Sequence, residues 1–189
     1  MFGGGRQFLS KNPAFSSKIC SLTETFPDAH IICTVRSPFE VLPSEMSLVS
    51  HILDSFQTDC AEHPARQLVY DVTAYLYRYS TQTLDALPDG RRAFVLYADL
   101  TGDPETTVRR IYRDFRFHLS DAFSEVLTLE AQKARTYRSK HAYSLEQEGL
   151  SRERVFYDYR DIFERFGFPS GREDTPEKTG AAQNRTSTN

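Results

Sequence analysis

The sequence predicts an α/β domain in which a parallel sheet is flanked by helices, and three observations indicate this class. Two short apolar runs, residues 31–35 and 93–96, have the length of buried strands. Each run is followed by a helix-start signal, Ser-Pro at residues 37–38 and Asp-Pro at residues 103–104. Most of the remaining chain has apolar residues at helical spacing. Strands that alternate with helices are typical of parallel sheets.

Composition limits the classes of protein to consider. A chain of 189 residues, 39% hydrophobic and 26% charged, suits one domain with a core. The net charge of −3 argues against a broad electrostatic grip on nucleic acid, so an anion site must be local. Three cysteines, an odd number, fit a reduced cytoplasmic protein better than a disulfide framework, and no apolar run approaches membrane-spanning length. No metal site is expected, because the metal-like spacing of Cys60 and His63 has no second ligand pair beside it.

The amino-terminal elements are predicted as follows. Residues 7–10 have the pattern of a short strand, and Asn12-Pro13 start a helix whose apolar stripe ends at Phe26. The run 31–35 is the next strand. Together they form a strand–helix–strand unit, which is right-handed in nearly all parallel sheets.

The end of the strand at residues 31–35 predicts an anion site. The strand ends on Arg36; Ser37 can cap the following helix, Pro38 suits its first position and Glu40 completes a capping box. A guanidinium at the carboxyl end of a strand, beside a helix amino terminus, is where open α/β sheets bind anions. Ser44 follows two turns later, so its hydroxyl and the Arg36 fork are predicted to hold one phosphate. The alternative is that Arg36 pairs with a structural carboxylate.

The rest of the chain is predicted to be mainly helical. A long helix is expected over residues 65–87, then the strand 93–96, a helix capped by Asp103, and helices at residues 120–135 and 152–166 that end at Gly167. The inward face of the long helix is predicted to carry Leu68, Val72, Tyr75, Leu76 and Tyr79. Residues 169–189 are polar and predict a disordered tail, which leaves residues 1–168 as the domain.

The predicted sheet is thin for the number of helices. Two or three strands accompany five or six helices, and the strand 31–35 is apolar on both faces, as in strands with neighbours on both edges. We therefore expect an amino-terminally truncated domain, with the missing part before Met1.

Five blocks of sequence resemble a known family. They occur in the family's order and at suitable distances, and they are Leu9-Ser10-Lys11-Asn12-Pro13, Phe26-Pro27-Asp28-Ala29, residues 35–44, Leu96-Tyr97-Ala98-Asp99-Leu100 with Asp103-Pro104, and residues 137–145 with Gly149-Leu150. The family is the PAPS-dependent sulfotransferases, most closely the bacterial type, which includes enzymes that sulfate lipid or quinone hydroxyls. The resemblance implies a P-loop-type sulfotransferase fold and transfer of a sulfonyl group from PAPS to a hydroxyl or amine of a small-molecule or lipid acceptor.

The resemblance also implies how the chain binds PAPS, which is adenosine with a 3′-phosphate and a 5′-phosphosulfate. Arg36 and Ser44 match the arginine and the serine eight positions later that hold the 3′-phosphate in the family. Tyr97 matches the tyrosine that contacts the adenine, as an aromatic face suits a base.

The resemblance also implies roles for three further basic residues. Lys11 matches the catalytic lysine beside the bridging oxygen, where an ammonium stabilises charge on the leaving phosphate. Arg138 and Lys140, in the last block, match basic residues that close over the nucleotide.

The sequence departs from the family at two places. It has no strand followed by a Ser/Thr-rich loop to cradle the 5′-phosphosulfate, and the positions of a general-base histidine are taken by Pro13 and Phe15. A catalytically inactive fragment that acts as a nucleotide-binding or interaction module is therefore an alternative. A relative of the nucleotide kinases is a third.

Overall fold

The computed structural model describes residues 8–56, 64–136 and 143–171. The two strands are β1 (Ile31–Val35) and β2 (Arg92–Leu96). The α-helices are α1 (Ile19–Thr25), α2 (Pro38–Ser55), α3 (Ala65–Asp85), α4 (Tyr97–Gly102), α5 (Pro104–Asp114), α6 (Asp121–Thr136), α7 (Arg152–Asp158) and α8 (Arg160–Phe166). Short 3-10 helices span Pro13–Ser17 and Asp89–Arg91.

The two strands pair in parallel, which confirms the predicted kind of sheet. Their register runs from Ile31 opposite Arg92 to Val35 opposite Leu96, so both carboxyl ends lie at one edge. The predicted strand at residues 7–10 is wrong for its described part, because residues 8–10 form no strand and their apolar side chains are exposed. Within the described residues no strand pairs with this segment, and β1 pairs instead with the later β2.

The first predicted helix is broken in two. Asn12 caps the 3-10 helix, its Oδ1 accepting from the Ala14 amide at 3.0 Å. The Lys18 amide donates to the Phe15 carbonyl, a tight-turn bond that ends this helix before α1 begins. Phe26, predicted on the apolar stripe, lies beyond α1 and is exposed.

Helix α2 begins where the sequence predicts. Pro38 occupies its first position, and the Ser37 hydroxyl accepts from the Phe39 amide at 3.3 Å. The predicted capping box is wrong, because the Glu40 carboxylate binds Arg36. The ion pair outcompetes the cap, since the guanidinium lies four residues back at the end of β1.

Helix α3 forms as predicted, but the face assigned to the core is wrong. Leu68, Val72 and Tyr75 are 61%, 42% and 58% exposed, whereas Tyr70 and Leu84 are buried. A tyrosine face packs inward instead, and its hydroxyls have partners at the margin of the core: Tyr70 donates to Asp158 and Tyr77 to the Arg36 carbonyl.

The main core lies where α2, α3, α7 and α8 meet. Its buried members are Leu42, Met46, Tyr70, Leu145, Leu150, Val155, Tyr159, Ile162 and Phe163. The single helix predicted at residues 152–166 is divided at Tyr159, whose carbonyl accepts from the Ile162 amide three residues on. Gly167 ends α8 with φ 66°, as its sequence position predicts.

Helices α5 and α6 pack side by side after β2. Asp103 caps α5, its Oδ1 accepting from the Thr106 amide at 3.2 Å, which confirms the predicted start. Arg109 donates to the Ser124 hydroxyl at 2.6 Å, and the Thr128 hydroxyl donates to Glu105 at 2.8 Å. These contacts make the two helices antiparallel, so the end of α6 lies near the start of α5.

Several predictions fall outside the described residues or concern absences. Residues 172–189, Cys60 and His63 are not among the described residues, so the disordered tail stays a prediction. None of the helices in the described ranges has the length and apolarity needed to cross a bilayer. Residues 8–56, 64–136 and 143–171 contain no group of three or more potential metal ligands.

Candidate functional site

The candidate site lies at the edge where both strands end. Because Val35 and Leu96 are register partners in a parallel pair, the residues that follow them, Arg36 and Tyr97, become neighbours. The Arg36 Cζ lies 4.9 Å from the centroid of the Tyr97 ring, a cation–π contact. The structure thus brings together two residues that the sequence placed 61 positions apart.

Three contacts orient Arg36. Its Nε donates to Glu40 Oε2 at 2.8 Å, its guanidinium lies over Tyr97, and its carbonyl accepts from the Tyr77 hydroxyl at 2.5 Å. Within the described part of the chain, neither Nη atom has a hydrogen-bond partner, and the side chain is 38% exposed. The guanidinium is held in place with its two terminal nitrogens available to a ligand.

Arg36 also pairs with a carboxylate, that of Glu40, which is the alternative that the sequence analysis left open. The strength of this ion pair decides whether Arg36 can still bind an anion. Glu40 is half-exposed, and surface pairs of this kind contribute about 0–1 kcal/mol. A phosphate that accepts from both Nη atoms gains about 1.5–3 kcal/mol for each charge-assisted hydrogen bond. The positive end of the α2 dipole adds to this attraction. The Glu40 pair therefore orients Arg36 without neutralising its capacity for phosphate.

Ser44 lies one turn beyond Glu40 on the same face of α2, because residues four apart in a helix are neighbours. Its side chain is partly buried, and its hydroxyl bonds to no other described residue. The bond between Arg36 and Glu40 draws the guanidinium toward this face. Arg36 and Ser44 therefore lie on the same side of α2, with no hydrogen bond between them.

Lys11 is exposed in the segment before the first 3-10 helix. That helix is held against α3, where the Ser80 hydroxyl donates to the Ser16 carbonyl at 3.4 Å. Ser80 lies one turn after Tyr77, which bonds to Arg36, so the first 3-10 helix and Arg36 contact neighbouring turns of α3. No hydrogen bond or ion pair joins Lys11 to any other described residue.

Sequence reasoning missed that Tyr77 holds the backbone of Arg36 and that Cys33 is a buried thiol in the neighbouring strand. Burial raises the pKa of Tyr77 well above its usual range, so its hydroxyl stays protonated and donates to Arg36. Burial also raises the pKa of Cys33 to about 11, so this thiol inside β1 is uncharged at neutral pH. The spacing of seven residues between Tyr70 and Tyr77 is the sequence signal that places both on one helix face.

Arg138 and Lys140 lie outside the described residues. The helix that precedes them, α6, ends near the cap of α5. Hydrogen bonds from Thr106, and then the charge of Arg135, lower the pKa of Asp103 at that cap. The chain therefore leaves α6 beside α4, the helix that Tyr97 begins.

The remainder of the last sequence block supports the core. Leu145 and Leu150 are buried, and Arg66 on α3 donates to the Glu148 carbonyl at 2.6 Å and pairs with its carboxylate at 2.8 Å. This part of the block fixes the chain after residue 142 against α3.

Comparison with known proteins gives two kinds of similarity, and the first is in sequence. A model of the sulfotransferase family matches residues 3–121. The chain is 28% identical over 169 residues to proteins named omega-hydroxy-beta-dihydromenaquinone-9 sulfotransferase Stf3 from Mycobacterium bovis and Mycobacterium tuberculosis. These alignments cover 85% of this chain and 41% of each relative. The chain thus spans about two fifths of the length of the curated relatives it matches.

The second similarity is in structure. The sulfotransferase STF1 from Mycobacterium tuberculosis matches with a TM-score of 0.61 and 28% identity over 80% of this chain and 38% of STF1. The sulfotransferase STF9 from Mycobacterium avium matches with a TM-score of 0.70 and 22% identity over 82% of this chain and 41% of STF9. The STF9 match concerns the fold alone. Both confirm the predicted α/β sulfotransferase fold.

Proposed function

The chain belongs to the sulfotransferase family, and we propose from this premise that the edge formed by Arg36 and Tyr97 binds the 3′-phosphorylated adenosine of PAPS. The observation that carries the proposal is the guanidinium fixed over the tyrosine ring with both Nη atoms unbonded among the described residues. The reaction to which this binding contributes is transfer of a sulfonyl group to an acceptor hydroxyl.

The residues at the edge fit the donor's nucleotide half. The Arg36 Nη atoms and the Ser44 hydroxyl are donors for a phosphate. One face of the Tyr97 ring is covered by Arg36, and the half-exposed ring has its second face for the adenine. PAPS supplies the sulfonyl group when it is bound. The exposed Lys11 ammonium offers charge for the leaving phosphate, as the family resemblance implies.

Arg138 and Lys140 complete the proposed site by the same resemblance. They follow α6, which ends beside the helix that starts at Tyr97. We expect their charges to add to the attraction for the nucleotide phosphates.

For the acceptor, we propose a hydroxyl-bearing lipid. The similar mycobacterial proteins are named for a hydroxylated dihydromenaquinone. On α2, the face that carries Ser44 continues to exposed apolar side chains at Leu48 and Ile52. An exposed apolar stripe beside an anion site suits an acceptor with a long apolar tail.

A second candidate function is a nucleotide-binding module without catalysis. The observation that favours it is the identity of the residues after Lys11, because Pro13 and Phe15 cannot take a proton from an acceptor hydroxyl. This candidate keeps the proposed role of Arg36 and Tyr97 and omits the transfer step.

Calorimetric titration of the full chain with 3′,5′-ADP tests the nucleotide site. We expect micromolar binding that weakens by about 100-fold or more in Arg36→Ala, the loss of two charge-assisted hydrogen bonds. Nucleotides without a 3′-phosphate should bind weakly and equally to both proteins. Arg113→Ala, a change at a 74% exposed arginine elsewhere on the surface, is the matched control. Absence of heat at millimolar 3′,5′-ADP contradicts the proposal, and preference for ATP favours a nucleotide kinase relative.

Transfer of labelled sulfate from PAPS to a polyprenyl alcohol separates the enzyme from the binding module. An enzyme gives labelled product that is lost in Lys11→Ala, while the affinity for 3′,5′-ADP is retained. Intact nucleotide binding without any product identifies the module.

A further inference from the structure

A groove lies at the amino ends of the two strands, away from the proposed nucleotide site at their carboxyl ends. It has a volume of about 1040 Å³, and residues 92–95 of β2 form its floor. Ile111 of α5 and Phe115, which follows α5, line one wall, and Asp85 and Arg165 from α3 and α8 line the other. Lys11, Arg36, Ser44 and Tyr97 do not line it.

The floor of the groove is a free strand edge. In the described residues, β2 pairs with β1 along one edge only. A strand presents N–H and C=O groups to both sides, so the other edge of β2 faces the groove with its backbone groups unpaired. Hydrogen bonds other than those to β1 are found for none of residues 93–95.

The charges around the groove indicate the chemistry of an occupant. Five arginines line it against three aspartates. Asp85 already pairs with Arg92 and Arg165, whereas Arg116 forms no ion pair with any described residue. An occupant with acidic residues supplies a partner for Arg116.

We propose that this groove, the β2 slot, binds an extended polypeptide segment that adds a strand to the free edge of β2. Main-chain hydrogen bonds to residues 92–95 give the affinity, and alternate apolar side chains pack on Ile111 and Phe115. Acidic residues that flank the strand pair with Arg116 and the neighbouring arginines. This inference does not depend on nucleotide binding or on sulfonyl transfer.

The test uses the full chain and a set of labelled peptides of about ten residues, the length of a long strand. Each peptide alternates threonine with one apolar residue (valine, isoleucine, leucine or phenylalanine) between aspartate pairs. Fluorescence anisotropy measures binding, and hydrogen exchange measures protection of the β2 amides. We expect at least one peptide to bind and to slow exchange at residues 92–96 by about 10-fold or more.

Matched controls separate strand addition from simple charge attraction. A peptide N-methylated at alternate residues cannot form the ladder, and a lysine-flanked peptide has the wrong charge; both should lose binding. Arg116→Glu should weaken the aspartate-flanked peptide by about 3-fold to 10-fold, as rim charges do. Arg160→Glu, at an exposed arginine that does not line the slot, should leave binding unchanged.

The proposal is overturned if no peptide in the set binds, if the N-methylated peptide binds as well as its parent, or if the arginine variants behave alike. Displacement of the peptide by inorganic pyrophosphate, with no protection of β2, also overturns it and identifies the groove as a small-anion site instead.

Discussion

The core formed by α2, α3, α7 and α8 and the edge at the ends of β1 and β2 differ in how their polar groups are bonded. In the core, Tyr159 is 0% exposed, and its hydroxyl donates to the Tyr70 carbonyl at 2.6 Å. At the edge, Arg36 is partly exposed and keeps two nitrogens unbonded among the described residues. Buried polar groups must be satisfied internally, whereas a surface group with spare donors is available to a ligand.

The two regions are nevertheless joined. Phe39 lies three residues after Arg36, and its ring centroid is 4.6 Å from that of Phe163 in the core. The first turn of α2 thus carries Phe39 into the core and Glu40 to the edge. The comparison shows that the packing of Phe39 on the core holds the edge in place.

The largest effect is expected from Phe163→Ala, which removes a buried ring from the core. The ring contacts Phe39, Phe156 and Phe168, and its removal should lower the free energy of unfolding by about 3–5 kcal/mol. Urea denaturation measures the loss. Phe56→Ala, at an exposed position, should change stability by less than about 0.5 kcal/mol. Equal effects of the two changes would show that no packed core joins these helices.

The second-largest effect is expected at the edge, on the affinity for the nucleotide. Tyr97→Leu removes the ring that lies under Arg36 and, in our proposal, under the adenine, so 3′,5′-ADP should bind about 5-fold to 50-fold more weakly. Stability should change little, since the side chain is half-exposed. Tyr97→Phe keeps the ring and should retain most of the affinity. A large loss in the phenylalanine variant would mean that the hydroxyl, rather than the ring face, binds the nucleotide.

A smaller effect is expected from Tyr159→Phe. Loss of the hydrogen bond to the Tyr70 carbonyl should lower the free energy of unfolding by about 1 kcal/mol, because the ring still fills its place. The midpoint of thermal unfolding gives the change. Affinity for 3′,5′-ADP should stay the same, and a marked drop would show that the core and the edge are coupled more tightly than by packing.

The smallest effect is expected at the surface pair of Arg78 and Asp161, whose two hydrogen bonds are both 2.9 Å long. The hydrogen bonds from Arg78 lower the pKa of Asp161, so the pair stabilises the fold above the carboxyl's unfolded pKa and is lost as pH falls through the folded value. Asp161→Asn should cost up to about 1 kcal/mol at neutral pH, since both side chains are partly exposed.

Urea denaturation at neutral and strongly acidic pH checks this sign. The difference between wild type and Asp161→Asn should shrink toward zero in acid, where the wild-type carboxyl is protonated. A difference that persists in acid would assign the effect to packing rather than to charge.

Local signals in the sequence predicted the bounds of several elements correctly. The strand that ends at Arg36, the caps Ser37 and Asp103 and the glycine stop at Gly167 all form as predicted. These signals are local, because a cap or a turn acts on backbone groups within a few residues of it. The ordered sequence blocks likewise predicted the sulfotransferase family that the comparisons confirm.

Long-range packing determines which surfaces meet, and local signals do not predict it. The face of α3 with Tyr70 is buried in place of the Leu68 face, and β1 pairs with β2. The Glu40 carboxylate binds Arg36 and does not cap the helix. Each outcome depends on groups that are distant in sequence or compete for one partner. The periodicity of a sequence shows which residues are apolar. A residue with a polar atom can also be buried if that atom forms a hydrogen bond, and its partner is known only from the folded structure.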